Sequence, residues 1–412
     1  MKKGMANTFT FLLSILMGVS GDGCPSKCVC FSSLTDCRSA NLKAVPQDIA
    51  PKTETLFLSN NQLTTINSGT FTNLKNLTFL GLSKNNISPQ NDTLQSLDNL
   101  LSLDFSENGL QAIPAGFLQT PLKMVWLSFA NNHLKKLPND ILRKLQSLSY
   151  LDLSDNILEL HDNTFEGLDN LNTLILSGNG LSSIPTNIFK LINKLQILDL
   201  SNNDLTHFPT GLLDNQQNLT DLILNNNRLS QSVLPAIRGL SSLKYLYLSG
   251  NTISVLPPVP FTDVPHLVKL TLSNNSLSVL PDRFLEGLYQ LTVLDLSSNS
   301  IATLPRDVFQ HNNKLEYLHL DRNDFSKTPM LLGLHTVREI NLCCCKISHW
   351  PAELSLSHME ALELLDLSSN FLVEMDYTIV KNNVNLKKVL LTQNPICSES
   401  PSRLPKAAPL TC

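Results

Sequence analysis

The sequence predicts an α/β solenoid. Its coil is curved and has about fifteen turns, with a parallel β-sheet on the concave face, an irregular or 3₁₀ convex side and a disulfide cap at each end. Three observations lead there. The frame LxxLxLxxNxL recurs from residue 53 to residue 396. Its asparagine returns every 22 to 25 residues, usually 24. The cysteines gather at the two ends, apart from one run of three, Cys343 to Cys345.

The stretch Leu291 to Ile301, LTVLDLSSNSI, shows why this frame makes a strand. Leu294 and Leu296 alternate with Val293, Asp295 and Ser297, which gives a short strand with one buried face. A single strand of this kind cannot bury its leucines alone, but stacked copies share one core. The frame's asparagine runs from Asn61 and Asn85 through Asn299 and Asn323 to Cys345, Asn370 and Asn394. Turned inward, its amide satisfies backbone groups at the bend after the strand. Losing such a buried partner costs about 1–3 kcal/mol.

Residues 1–20 read as a secretory signal. Lys2 and Lys3 precede an apolar run from Phe9 to Val19, and Gly18-Val19-Ser20 offers small residues for cleavage. No later stretch reaches the roughly 18 apolar residues needed to span a bilayer, and the final LPKAAPLTC lacks a lipid-anchor tail. The expectation is a secreted, soluble chain.

The organisation read from this is a signal at 1–20, a cysteine-rich cap at 21–52, repeats at 53–396 and a short C-terminal cap at 397–412. Cys24 to Cys37 has the spacing C-P-x2-C-x-C-x6-C. Four such close cysteines after a signal imply two disulfides in an oxidising compartment. Zinc is disfavoured, because its ligands come as separated pairs or with histidine, and none lies near.

This block, with Asn41-Leu42 and Val45-Pro46, resembles the N-terminal flanking cap of extracellular leucine-rich-repeat proteins. That resemblance implies the pairs Cys24–Cys30 and Cys28–Cys37 and a leucine-rich-repeat horseshoe behind them. The phrase from Leu181 to Leu195, with Pro185, Phe189 and Leu191, resembles the family's typical animal subclass. It implies short turns or 3₁₀ pieces on the outer side, closed by the Phe and Leu. At the other end Asn394-Pro395 and Cys397 resemble the opening of the family's C-terminal cap. Only Cys397 and Cys412 are present there, so a reduced, extended cap closed by Cys397–Cys412 is expected. The broad class implied holds Slit-like, Toll-like-receptor, small leucine-rich proteoglycan and variable-lymphocyte-receptor repeats.

Two stretches break the rhythm. Pro257, Pro258, Pro260 and Pro265 predict an extended outer segment from Val255 to Pro265. The interval from Asn323 to Cys345 is two residues short and the next is one long, which predicts irregularity over 325–360. Cys343, Cys344 and Cys345 lie there. Cys345 takes the ladder position. Cys343 and Cys344 point to a free thiol or an intermolecular bridge, hence a possible dimer. A metal site with His335 or His349 is disfavoured by their phase around the coil.

Formal net charge is −4, with charged residues only 16% and no basic run, which argues against a nucleic-acid partner. G-x-S-x-G, Walker and H-E-x-x-H motifs do not occur, so a non-catalytic protein without cofactor or metal is expected. Function then falls to the exposed strand positions. Phe57, Phe79, Trp126 and Tyr150 occupy some of them. Acidic residues thread between: Asp104, Asp152, Asp199, Asp221, Asp295 and Asp366. The preferred ligand zone is Tyr245, Tyr247, Lys269, Tyr317, His319, Asp321 and Arg322, which spans adjacent repeats and is rich in the aromatics that protein contacts favour. Sequons at Asn76, Asn86, Asn91, Asn218 and Asn274 predict glycosylation. The reading is a secreted protein-binding module of matrix, adhesion or guidance type. Alternatives are an innate-immune recognition ectodomain and a soluble inhibitor of a secreted enzyme.

Overall fold

The computed structural model describes residues 23–118, 123–138, 141–351, 354, 356–380, 383–399 and 410–412. The signal expected at 1–20 lies outside them. The chain divides into two compact units, Met1–Leu148 and Ser149–Cys412.

The first unit opens on a hairpin. Strands β1 (Val29–Phe31) and β2 (Leu34–Asp36) pair antiparallel, with Cys30 opposite Thr35. Disulfides Cys24–Cys30 and Cys28–Cys37 pin it, and these are the pairs the family resemblance implies. β2 then pairs parallel with β3 (Thr55–Phe57), so the hairpin covers the edge that the first repeat would leave open. The sheet continues through β4 (Phe79–Gly81), β5 (Ser102–Asp104) and β6 (Trp126–Ser128), all parallel. Behind it Phe105, Phe117 and Phe129 pack with ring centroids 5.4 to 6.4 Å apart.

The second unit carries β7 (Tyr150–Asp152), β8 (Thr173–Ile175), β9 (Ile197–Asp199), β10 (Asp221–Ile223) and β11 (Tyr245–Tyr247). Then follow β12 (Lys269–Thr271), β13 (Val293–Asp295), β14 (Tyr317–His319), β15 (Glu339–Asn341), β16 (Leu364–Asp366) and β17 (Lys388–Leu390). Every strand pairs parallel with the next, apolar residue against apolar residue: Leu222 meets Leu246, then Leu270, Leu294 and Leu318 in register. Each of these leucines is fully buried. The return side is mostly turns, with 3₁₀ segments at Gln231–Ile237 and Tyr377–Ile379. Ser230 caps the first of these, its side chain accepting from the Ser232 N–H at 3.3 Å.

The ladder asparagines tie turn to turn. The Asn299 amide nitrogen donates to Leu296 O at 3.0 Å in its own turn and to Leu272 O at 2.9 Å in the one before. Its oxygen accepts from Leu277 N at 3.0 Å. Cys345 replaces this amide with a thiol that reaches Leu320 O at 3.6 Å and Cys343 O at 3.5 Å. A thiol is a weak donor and brings no amide oxygen.

A second column runs beside the first. The residue before each ladder position adopts a left-handed backbone, as at Lys84 (φ 56°), Glu107 (φ 53°), Ser298 (φ 54°) and Arg322 (φ 53°). Gly178 and Gly250 adopt it without strain, and Asn60, Asn131, Asp155, Asn202, Asn226 and Asn274 are of the types that tolerate it best after glycine.

Several expectations are corrected. Leu191 is 54% exposed, and its neighbour Ile192 fills the core instead. The proline-rich segment is free of turns only over 252–257. Residues 260–263 turn like their counterparts, because Phe261 must reach the core and pack 5.9 Å from Phe284. The shortened interval before Cys345 does not disturb the sheet, since Leu318 still meets Ile340 in register. The return side absorbs it: Trp350 is buried and donates to Leu354 O at 3.1 Å, and Thr328 donates to His349 O at 2.9 Å. The C-terminal cap is closed by Cys397–Cys412 but is not simply extended. It begins with a short helix, α1 (Pro395–Glu399), and ends with β18 (Leu410–Thr411), which adds to β17.

Two predictions follow from these cross-links. Asn299→Ala leaves the Leu277 N–H without its partner, while Leu272 O and Leu296 O keep their bonds from Asn275 and Asn323. It should cost on the order of 2 kcal/mol, whereas Cys345→Ala should cost clearly less. Urea midpoints of the two variants test this, and equal shifts would refute it. The N-terminal disulfides close loops of 6 and 9 residues. Replacing the Cys28–Cys37 pair by alanine should cost about 2–3 kcal/mol, and an unchanged melting temperature would remove the cap from the account of stability.

Candidate binding face of the second unit

Tyr245 and Tyr247 flank the buried Leu246, so both project from the open face of the sheet. Lys269 stands beside them on β12, its ammonium 5.4 Å from the centre of the Tyr247 ring. Burial, Asp221 and Tyr245 push the Tyr247 phenol above its usual range, which keeps it a neutral donor. On β13, Asp295 accepts from its own turn, from Ser297 N at 3.0 Å and Ser297 Oγ at 2.7 Å. Beyond it Tyr317, 37% exposed, and the half-buried His319 lie on β14 in register with Val293 and Asp295. The zone is therefore two groups on one stretch of sheet: Tyr245, Tyr247 and Lys269 on one side of β13, Tyr317 and His319 on the other.

Asp321 departs from expectation. It is only 6% exposed, and its carboxylate meets the Arg322 guanidinium at 3.2 Å. The left-handed turn at Arg322 aims that exposed side chain back over its neighbour. Arg322 presents the charge to solvent and Asp321 holds it.

The acidic column is largely engaged by the turns themselves. Asp104, Asp199 and Asp366 each accept from the serine two residues on, with Oγ contacts of 2.6 Å. In the first unit, Phe57 and Phe79 pack together at 5.0 Å, with the Arg38 guanidinium 4.6 Å above Phe57. Asp36 fixes Arg38 through a 2.9 Å bond to Nε. Gly81 makes room for this cluster, since a Cβ there would stand 3.2 Å from the Phe79 ring. Trp126 is half-buried on β6 and Tyr150 on β7, where burial and Asp152 and Asp199 push its phenol up. Asp36, Arg38 and Gly81 carry no advance signal, because they matter only once register sets them beside the aromatics.

The sequon asparagines Asn76, Asn86, Asn91, Asn218 and Asn274 are all exposed. Asn91 is partly engaged, accepting from Gly116 N at 2.9 Å. Cys343 is half-buried, Cys344 exposed and Cys345 buried, and none is in a disulfide. His335 is engaged elsewhere, its Nδ1 3.2 Å from His358 O.

The leucine rich repeat family model matches residues 39–87, 122–181, 169–229, 217–277 and 265–325, more than half of the chain. The chain belongs to the leucine-rich-repeat family. Among relatives, this leucine-rich-repeat chain is 33% identical over 150 residues to podocan of Mus musculus, covering 35% of the chain and 24% of podocan. It is 31% identical over 171 residues to keratocan of Gallus gallus, covering 39% and 47% of the two. The matches thus span less than half of either relative. Of solved structures, a leucine-rich-repeat protein of Leptospira interrogans superposes with TM-score 0.77 at 28% identity, over 87% of this chain and 89% of that one. Toll in its complex with Spatzle from Drosophila superposes with TM-score 0.70 at 24% identity, over 84% and 52%, a likeness of fold.

Asp321 yields a prediction with a definite sign. Burial raises its pKa, outweighing the opposing pull of Arg322. A carboxyl raised in the folded state weakens folding above that pKa, and the penalty disappears as pH falls through it. Asp321→Asn should therefore melt no lower than the parent at neutral pH, with any advantage vanishing in acid. A variant that melts lower at neutral pH and equally in acid would reverse the assignment.

Proposed function

We propose that this protein is a secreted, non-catalytic binding module of matrix or adhesion type, and that the open sheet face from β11 to β14 takes an extracellular protein ligand. One observation carries the reading. Tyr245, Tyr247 and Lys269 on β11 and β12, and Tyr317, His319 and Arg322 on β14 and the turn after it, flank β13 on one sheet with their aromatic and cationic groups half-buried or exposed. Half-buried tyrosines held rigidly by a sheet offer large contact area at small entropic cost. Asp321 serves by positioning Arg322. Exposed sequons at Asn76, Asn86, Asn91, Asn218 and Asn274 would carry glycans, and the three disulfides suit an oxidising compartment. Kinship with the proteoglycan-like relatives podocan and keratocan supports the matrix reading.

The test is capture from extracellular fluid by the parent chain and by a variant with Tyr245, Tyr247, Tyr317 and His319 changed to alanine. Both must melt alike. Each anchor lost should weaken binding by about 1 kcal/mol or more, so the variant should lose the specific ligand altogether. Retention of the same ligand by both would move the site elsewhere.

A further inference from the structure

Successive side chains of a strand point to opposite faces, so neighbours in sequence do not touch. The turn after the strand breaks that rule at three places in this fold. Its left-handed residue swings its side chain to the side of its predecessor. The result recurs with three chemistries at the same place in the repeat. Asn202 Nδ2 lies 3.4 Å from Ser201 Oγ, Arg322 Nη1 lies 3.2 Å from Asp321 Oδ2, and Cys344 Sγ lies 2.9 Å from Cys343 Sγ. The repeat itself therefore brings the two thiols together, with the φ of 57° at Cys344 matching its counterparts in other turns.

We propose that Cys343 and Cys344 are a redox couple that closes on itself as a vicinal disulfide on the open face of the sheet. The other candidate partners are taken. Six cysteines are paired in the caps, and Cys345 is 4% exposed with its sulfur against backbone carbonyls. Against a second chain, the contacting thiol wins by effective concentration, at least millimolar for groups so tethered.

The exposed Cys344 meets the oxidant, a small-molecule disulfide. Its thiolate attacks one sulfur, the S–S bond breaks, and one thiol leaves with a proton. Cys343 then gives up its proton, attacks Cys344 Sγ and releases the second thiol. Two electrons and two protons have passed to the oxidant. Burial, the Cys344 contact and the charges of Asp366 and Asp321 push the Cys343 thiol up to about 12. In the mixed disulfide Cys343 still feels burial and the charges of Asp366 and Asp321, so the second step quickens as pH rises. Adjacent Cα atoms sit ~3.8 Å apart, less than the ~4.4–6.8 Å a disulfide prefers. The closed ring is therefore strained and opens more readily than an unstrained bridge. It lies next to the proposed ligand face, since Cys343 O accepts from Arg322 N at 2.9 Å.

The experiment uses the full secreted chain, prepared without reductant, denatured in N-ethylmaleimide and cleaved with trypsin. The peptide Glu339–Lys346 holds all three cysteines. It should carry one adduct, on Cys345, and be two hydrogens lighter than the same singly labelled peptide after reduction. Three adducts, a small thiol attached to this peptide, or a link from it to a second chain would each overturn the proposal. With graded reductant, the pair should become labelled before the six cap cysteines, and the reverse order would also overturn it. Cys344→Ser should raise the count to two adducts, on Cys343 and Cys345, without changing cap labelling. A single adduct in that variant would count equally against closure.

Discussion

A ladder asparagine turned into the coil holds backbone groups of two turns at once, and this is the constraint that the other features obey. Asn299 binds carbonyls at Leu296 and Leu272 and the N–H of Leu277. The leucines supply the driving force, because each turn buries apolar surface that it cannot bury alone. The amide supplies the spacing. A leucine tolerates small shifts, whereas a buried N–H without a partner does not. The left-handed residue before each ladder position follows from the same demand, since the chain must bend sharply to bring the amide inward.

That constraint fixes what the surface can offer. Once every middle leucine faces the core, the residues on either side face outward in rows. Neighbouring strands then set Tyr247 beside Lys269, and Tyr317 beyond Val293. Variation in these rows costs the fold little, so their chemistry is free to differ from turn to turn. The turn has its own chemistry, because it juxtaposes successive side chains that a strand would separate. Salt bridge, amide contact and paired thiols are three uses of one backbone shape.

Cys345 shows how much departure the scheme absorbs. The turn that carries it is shortened, and its thiol makes only two long contacts in place of the amide's bonds. Even so, Leu318 pairs with Ile340 and Asn341 with Asp366 without a slip. A slip of one residue would turn every core leucine to solvent. The irregularity is therefore confined to the return side, where Trp350 and Thr328 close the gap.

The sequence by itself determined the repeat, the strands, the core leucines and the rows that face outward. All of these depend on periodicity, and periodicity is written locally. The cysteine pairs of the N-terminal cap were reached through family resemblance. Tertiary structure decided what spacing cannot encode. Leu191 and Ile192 are both apolar neighbours on the return side, and only packing selects which is buried. Asp321 occupies an outward row yet is sheltered, because the turn folds Arg322 over it. Gly81 reads as a gap until Phe57 and Phe79 close around it. Cys343 and Cys344 read as two separate thiols until a left-handed residue brings their sulfurs into contact. In each case the deciding contact depends on a backbone angle or a neighbouring turn, and neither is recorded in the residue's own identity.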